Sequence, residues 1–230
     1  MNTSAKFLMF QQINVLGDLN ENQLQDLAQC SSFQKLKKDD KVFETGNSIK
    51  SVYILLKGSI KVGLEMEPGK SIIKQLVGEG EIFGENILTQ KPERSDYAQA
   101  LVESQVLIIP KEKFESLLFE NTAFCSNIVK QIMAQLSSLE QRIADFVYTK
   151  AQKRIESFLK RMATNKGIKI GLNELLIKHN LSHSDIAYLT DTSRQTVSRV
   201  LGDLKRSNII HFSARKPHKI LVRDMTLLAV

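Results

Sequence analysis

The spacing of apolar positions changes period along the chain, and each change marks a new kind of element. Residues 7–32 carry Phe7, Leu8, Ile13, Leu16, Leu19, Leu24 and Leu27, a pattern that predicts a helical segment. From about 33 to 110 the pattern becomes short and β-rich, with segments at 41–44, 51–56, 60–65, 71–77, 98–101 and 105–110. Turns are signalled at 46–47, 57–58, 68–69 and 78–80. Many short strands with no long helical run between them predict a jelly-roll-like sandwich or barrel and disfavour a βαβ arrangement.

The helical period returns at 111–121 and then over a long stretch, about 123–149. There Val129, Ile132, Leu136, Leu139, Ile143 and Phe146 step by three and four, an a/d seam of 3.5 period with polar flanks. A homodimer interface is the expectation for this seam; a helix packed on its own β domain is the alternative. After a hinge expected near 148–151, a helix is predicted at 150–163, a small hairpin over 167–178 and a short helix at 181–189. That last helix opens on a capping box of Ser182 and Asp185.

The stretch 191–208, DTSRQTVSRVLGDLKRSN, reads as a second short helix after a tight turn. Val197, Val200, Leu201 and Leu204 form one apolar stripe, and Arg194, Gln195, Ser198 and Arg199 fall on other faces. Thr192 or Ser193 caps its start, with Thr192 and Gln195 matching the T-x-x-Q form of a capping box. Arginine forks onto guanine and glutamine pairs with adenine, so this face suits a DNA groove. Two strand-like segments, 209–213 and 219–223, follow; the turn between them, 214–218, carries Arg215 and Lys216 and is placed to be a wing on phosphates.

Charge supports that placement. Residues 1–150 hold 17 Lys and Arg against 19 Asp and Glu, a net of −2, whereas residues 151–230 hold 15 against 6, a net of +9. Segregated positive charge is the electrostatic footprint of a nucleic-acid module. No apolar run is long enough for a membrane span, and the N-terminus lacks the pattern of a secretory signal. Two distant cysteines, Cys30 and Cys125, suit a reducing cytoplasm and argue against a disulfide framework.

Catalytic chemistry is sparse, and no enzyme is expected. A metal-dependent jelly-roll enzyme needs several His ligands in its β domain, yet His179, His183, His211 and His218 all lie in the last third. No P-loop or nucleophile elbow is present. One constellation in the β region does resemble a binding site. GEGEIFGEN at 78–86 is followed by KPERSDYA at 91–98. Gly84 allows close backbone approach, Glu85 accepts from a hydroxyl, Asn86 opens a short turn whose N–H groups face an anion, and Arg94 and Ser95 supply a cation and a hydroxyl for phosphate. A glycine turn with a surface Arg–Glu pair is the plainer alternative.

The order of these motifs resembles the Crp/Fnr family of bacterial transcription regulators over about 20–225. SVYILLKGSIKV (51–62) resembles the strand–Gly–strand signature of cyclic-nucleotide-binding domains, and IFGEN with ERS nine residues later their phosphate-binding cassette. RIADFVYTKAQKRIESFL (142–159) resembles the dimer helix, hinge and next helix, and SHSDIAYLTDTSRQTVSRVLGDLKRSNII (182–210) the winged helix-turn-helix. The resemblance implies an α+β architecture. It has an N-terminal jelly-roll sensor domain over 1–122, a long dimerisation helix and hinge over 123–150, and a C-terminal winged helix-turn-helix over 151–230. It implies double-stranded DNA, a second copy of the chain and RNA polymerase as partners, with no membrane.

The resemblance also places Ser193 on phosphate and Arg194, Gln195 and Arg199 on base edges. Many members carry Glu at the position of Gln195. It places Glu85 and Arg94 on the ribose and cyclic phosphate of cAMP. Two departures stand against cAMP: Asn86 replaces an apolar residue, and the Thr–Ser pair with which cAMP-binding members reach the purine falls at Leu139–Glu140, with Ser137–Ser138 out of phase. A cyclic nucleotide, another small effector, or none therefore all remain as readings. So does a nucleotide-responsive interaction module that does not bind DNA.

Overall fold

Asn20 decides how the chain begins. Its side chain accepts from the Gln23 amide while the Gln23 side chain accepts from the Asn20 amide, a reciprocal cap that starts a new helix. The expected segment 7–32 is therefore broken into α1 (Thr3–Phe10), a 3-10 turn (Asn14–Leu16) and α2 (Glu21–Cys30), and the chain is already extended at residue 32. This structure is a computed structural model, and it describes residues 3–67, 70–89, 91–178, 180–213, 219–225 and 228. The expected turns at 68–69 and 214–218, with Arg215, Lys216 and His218, and the residue His179, lie outside the described residues.

Two compact units divide the chain, Met1–Ser137 and Ser138–Val230. In the first, the helices lead into β1 (Ser32–Leu36), β2 (Lys41–Phe43), β3 (Ser51–Lys57), β4 (Ile60–Glu67), β5 (Lys70–Val77), β6 (Ile82–Phe83), a 3-10 turn (Glu85–Leu88), β7 (Tyr97–Ala100) and β8 (Ser104–Pro110). Then come α3 (Lys111–Glu120) and the start of α4 (Thr122–Tyr148). The strands form two four-stranded antiparallel sheets, ordered β1-β8-β3-β6 and β2-β7-β4-β5. β1 and β6 were not anticipated; β1 is too polar and β6 too short to carry a period-two signal.

One cluster, including Leu36, Phe43, Leu55, Val62, Val77, Phe83 and Val106, forms a core shared by strands of both sheets. A second packs Phe10, Leu24, Leu27, Phe114, Phe124 and Ile128 of the helices against Val52, Ile54, Leu107 and Ile109. β3 and β8 thus contribute to both clusters, which is why their apolar residues run together (YILL, VLII) instead of alternating.

In the second unit the end of α4 leads to α5 (Ala151–Lys166), β9 (Ile168–Lys169), β10 (Leu175–Lys178), α6 (His183–Leu189), α7 (Arg194–Arg206), β11 (Ile210–Phe212) and β12 (Lys219–Val222). The two hairpins expected separately are one sheet, ordered β11-β12-β10-β9, joined by β10 pairing with β12. Ile155, Leu159, Ile177, Ile186, Val200, Leu201, Ile210 and Val222 are buried in this unit. Among the described residues no helix is long and apolar enough to cross a membrane.

Candidate DNA interface and effector site

α6, a tight turn and α7 make the helix-turn-helix. The expected Ser182–Asp185 capping box closes α6: the Asp185 amide donates to Ser182 Oγ, and the Ser182 amide donates to Asp185 Oδ2. Asp191, at φ +51°, turns the chain by taking the left-handed conformation that short polar side chains tolerate. At α7 one expectation needs correcting. The cap is Ser193, whose Oγ accepts from the Thr196 amide at 3.1 Å; Thr192 lies one residue outside and forms no capping box with Gln195. The helix starts one residue later than that box requires.

The cap sets which faces α7 presents. Val197, Val200, Leu201 and Leu204 are all buried, as their spacing predicts. Ser193, Arg194, Gln195, Ser198 and Arg199 are all exposed. Asn208 ends the segment in a left-handed turn, and its side-chain oxygen accepts from Arg223 Nη1 at 2.9 Å, tying the helix end to the residue that follows β12.

In the β unit the cassette residues divide. Gly84 sits at φ +81°, and a Cβ there would meet Arg94 Nη1 and Nη2 at 3.2 and 3.3 Å. Gly84 and Arg94 are thus together. Ser95, beside Arg94 in the chain, is exposed, while Arg94 is only 2% exposed. The plainer surface Arg–Glu pair is therefore excluded. Glu85 and Asn86 are half-buried at the start of the 3-10 turn, and Asn86 gives its carbonyl to Thr89.

Sequence reasoning missed what surrounds Arg94. Its guanidinium lies over the Phe43 ring at 3.7 Å, and Nη2 donates to the Ser51 carbonyl at 2.7 Å. Tyr53 and Phe83 stack beside Phe43, with centroids 5.3 Å apart. Nη1 has no hydrogen-bond partner. Burial pulls the Arg94 guanidinium below its ordinary value, opposed by Tyr53, Asp96 and Glu85; burial likewise pushes the Tyr53 phenol up.

Close by in sequence, Asp96 is 1% exposed and forms an ion pair with Lys74 Nζ at 2.6 Å, although neither carboxylate oxygen has a well-angled hydrogen bond. No local pattern signals these groups: they come from four strands, β2, β3, β5 and β6, and the approach to β7. Replacing Arg94 with Met removes the donor to Ser51 and the cation over Phe43. The expected cost is about 1–3 kcal/mol, read as a lower urea midpoint for the sensor unit.

The expected seam on α4 also divides. Val129, Leu136, Ile143 and Phe146 are exposed, and Leu139 is half-buried. Ile132 instead packs against the core of its own unit, beside Phe124 and Ile128. Met133 and Val147, which the seam omitted, are exposed with the others. The start of α4 therefore covers its own β unit, and the apolar stripe left open is rotated slightly from the a/d assignment.

The family model described as a cyclic nucleotide-binding domain matches residues 33–121, and that for a Crp-like helix-turn-helix domain matches residues 153–230. The anaerobic regulatory protein of Bacillus subtilis is 27% identical over 195 residues, 84% of this chain and 82% of that protein. The CRP-like cAMP-activated global transcriptional regulator of Mycobacterium tuberculosis is 23% identical over 188 residues, 82% of each. The structure of FixK2 from Bradyrhizobium japonicum shares the fold, with a TM-score of 0.75 at 19% identity, covering 87% of this chain and 98% of that one. With a sensor sandwich, a long helix and a capped helix-turn-helix in the same order as these relatives, the chain belongs to the Crp/Fnr family of DNA-binding transcription regulators.

Proposed function

We propose that two copies of the chain, paired along the exposed stripe of α4, bind a two-fold symmetric DNA site with one α7 in each half-site. The observation that carries this is α7 itself: one face is fully buried, and the five polar residues at its capped end are all exposed. Arg194 and Arg199 take base edges, Gln195 sets the preference at one base pair, and Ser193 takes phosphate. The sensor domain occupies 1–122, the dimer helix 123–150 and the reading domain 151–230. In the cytoplasm such a dimer acts on transcription through RNA polymerase.

The sensor domain responds to a small anionic effector. Supporting this is Arg94, a buried cation with one guanidinium nitrogen unpartnered beneath Gly84. Glu85, Asn86 and Ser95 complete the cassette. A relative is cAMP-activated by its description. Here, however, the chain lacks the Thr–Ser pair with which cAMP binders reach the purine, and Asn86 replaces an apolar residue, so a small anionic effector other than cAMP is favoured. Titration calorimetry with cAMP and cGMP tests this, together with DNA affinity in their presence. The expected result is no heat and no change in affinity with either. Micromolar binding that tightens DNA affinity would assign the site to a cyclic nucleotide instead.

A further inference from the structure

Two arginines hold the turn of the helix-turn-helix from outside it. Arg142, on α4, makes a bidentate pair with Asp191: Nε donates to Oδ2 at 2.7 Å and Nη2 to Oδ1 at 2.6 Å. Nη2 also donates to the Tyr188 carbonyl. Arg154, on α5, donates from Nε to the Thr190 carbonyl at 2.9 Å and from Nη2 to the Asp191 carbonyl at 2.8 Å. Its remaining nitrogen, Nη1, donates to the Thr149 carbonyl at 2.7 Å, and its guanidinium lies 5.2 Å from the Phe146 ring centroid. Two planar forks thus take three backbone carbonyls at the end of α6 and the carboxylate of the turn residue, all of which lie immediately before α7.

The same contacts brace the link between α4 and α5. The Thr149 amide and hydroxyl both donate to the Asp145 carbonyl, at 3.0 and 2.6 Å. The Asp145 carboxylate meets Arg161 of α5 at 3.4 Å.

We propose that Arg142 and Arg154 are positioning residues for DNA reading. They hold the α6–α7 turn against the last turns of α4 and the start of α5, and so fix the direction in which α7 is presented. This role rests on α7 being the reading helix. Bidentate geometry makes Arg142→Lys a real loss, since an ammonium cannot hold both carboxylate oxygens in the same fork. Asp191→Asn keeps a side chain that tolerates positive φ while removing the charge.

Hydrogen exchange read by mass spectrometry on the full-length dimer, paired with DNA affinity, tests this role. Arg142→Ala and Asp191→Asn should each speed exchange across 186–193 while leaving the β unit unchanged, and each should weaken specific DNA binding about tenfold. The double variant should be no worse than either single one, because both remove the same contact. Unchanged exchange at 186–193 in Arg142→Ala, or unchanged DNA affinity despite faster exchange, would overturn the positioning role. Arg194→Ala, measured beside them, separates that failure from a wrong reading helix: it weakens specific binding selectively only if α7 reads the DNA.

Discussion

Arg194→Ala and Arg199→Ala are each expected to weaken sequence-specific DNA binding while leaving the protein folded. Both side chains are exposed at the capped end of α7, and the stripe that anchors the helix lies on its other face. Arg199 has a companion, Asp203 at 3.8 Å, but Arg199 is 64% exposed there, and a surface pair of this kind contributes little to stability. The guanidinium can therefore leave it for a base at small cost. A bidentate contact to guanine is worth about 1–3 kcal/mol of discrimination, so each variant should lose roughly 5- to 150-fold against the best sequence. Affinity for random DNA should fall far less. Anisotropy titrations of a labelled duplex at several salt concentrations make the distinction. An arginine that touches only phosphate would weaken all sequences alike and lower the salt slope by about one. Alanine is the best helix former, so the thermal transition should not move down.

Leu136→Glu is expected to turn the dimer into monomers and to remove tight DNA binding with it. Leu136 is 45% exposed and Ile143 65% exposed on the second and third turns of an open apolar stripe that begins at Val129. Burying one such side chain fully against a partner contributes about 1.5–3 kcal/mol. A two-fold interface loses that contribution from both copies and adds two carboxylates near its axis. The dimer constant should weaken by at least about a hundredfold. Sedimentation velocity reads the change directly. Since Leu136 has no place in the core of its own unit, circular dichroism should be unaffected. Ile132→Glu makes the contrast: Ile132 packs on its own unit, so that variant should destabilise folding first. Equal effects of the two variants on sedimentation and on folding would mean that the stripe is not the seam.

Local pattern made some of this legible and concealed the rest for definite reasons. The buried stripe of α7 and the cap at Ser182 could be read from spacing alone, because helix faces and helix starts depend on residues three or four apart. The exposed ends of α7 followed from the same spacing. The break after Phe10 did not, because apolar residues continue through Ile13 and Leu16 while the cap at Asn20 restarts the helix. Ile132 looked like a seam residue because periodicity says which residues share a face, not which neighbour covers it. Arg94 could be singled out from its neighbours in sequence, but its setting against Phe43, Tyr53 and Ser51 depends on strands 41 to 51 residues away. Arg142 read as a polar flank of the seam for the same reason: its partner Asp191 is 49 residues on.

The most direct measurement of the whole account is selection of bound duplexes from random DNA, run in parallel with the wild type and Gln195→Glu. The account predicts an inverted repeat whose half-sites are spaced about one helical turn apart. It also predicts that glutamate at 195 changes one symmetric pair of positions, from a preference for adenine toward cytosine. Enrichment of no symmetric site, or an identical site from both proteins, would contradict it.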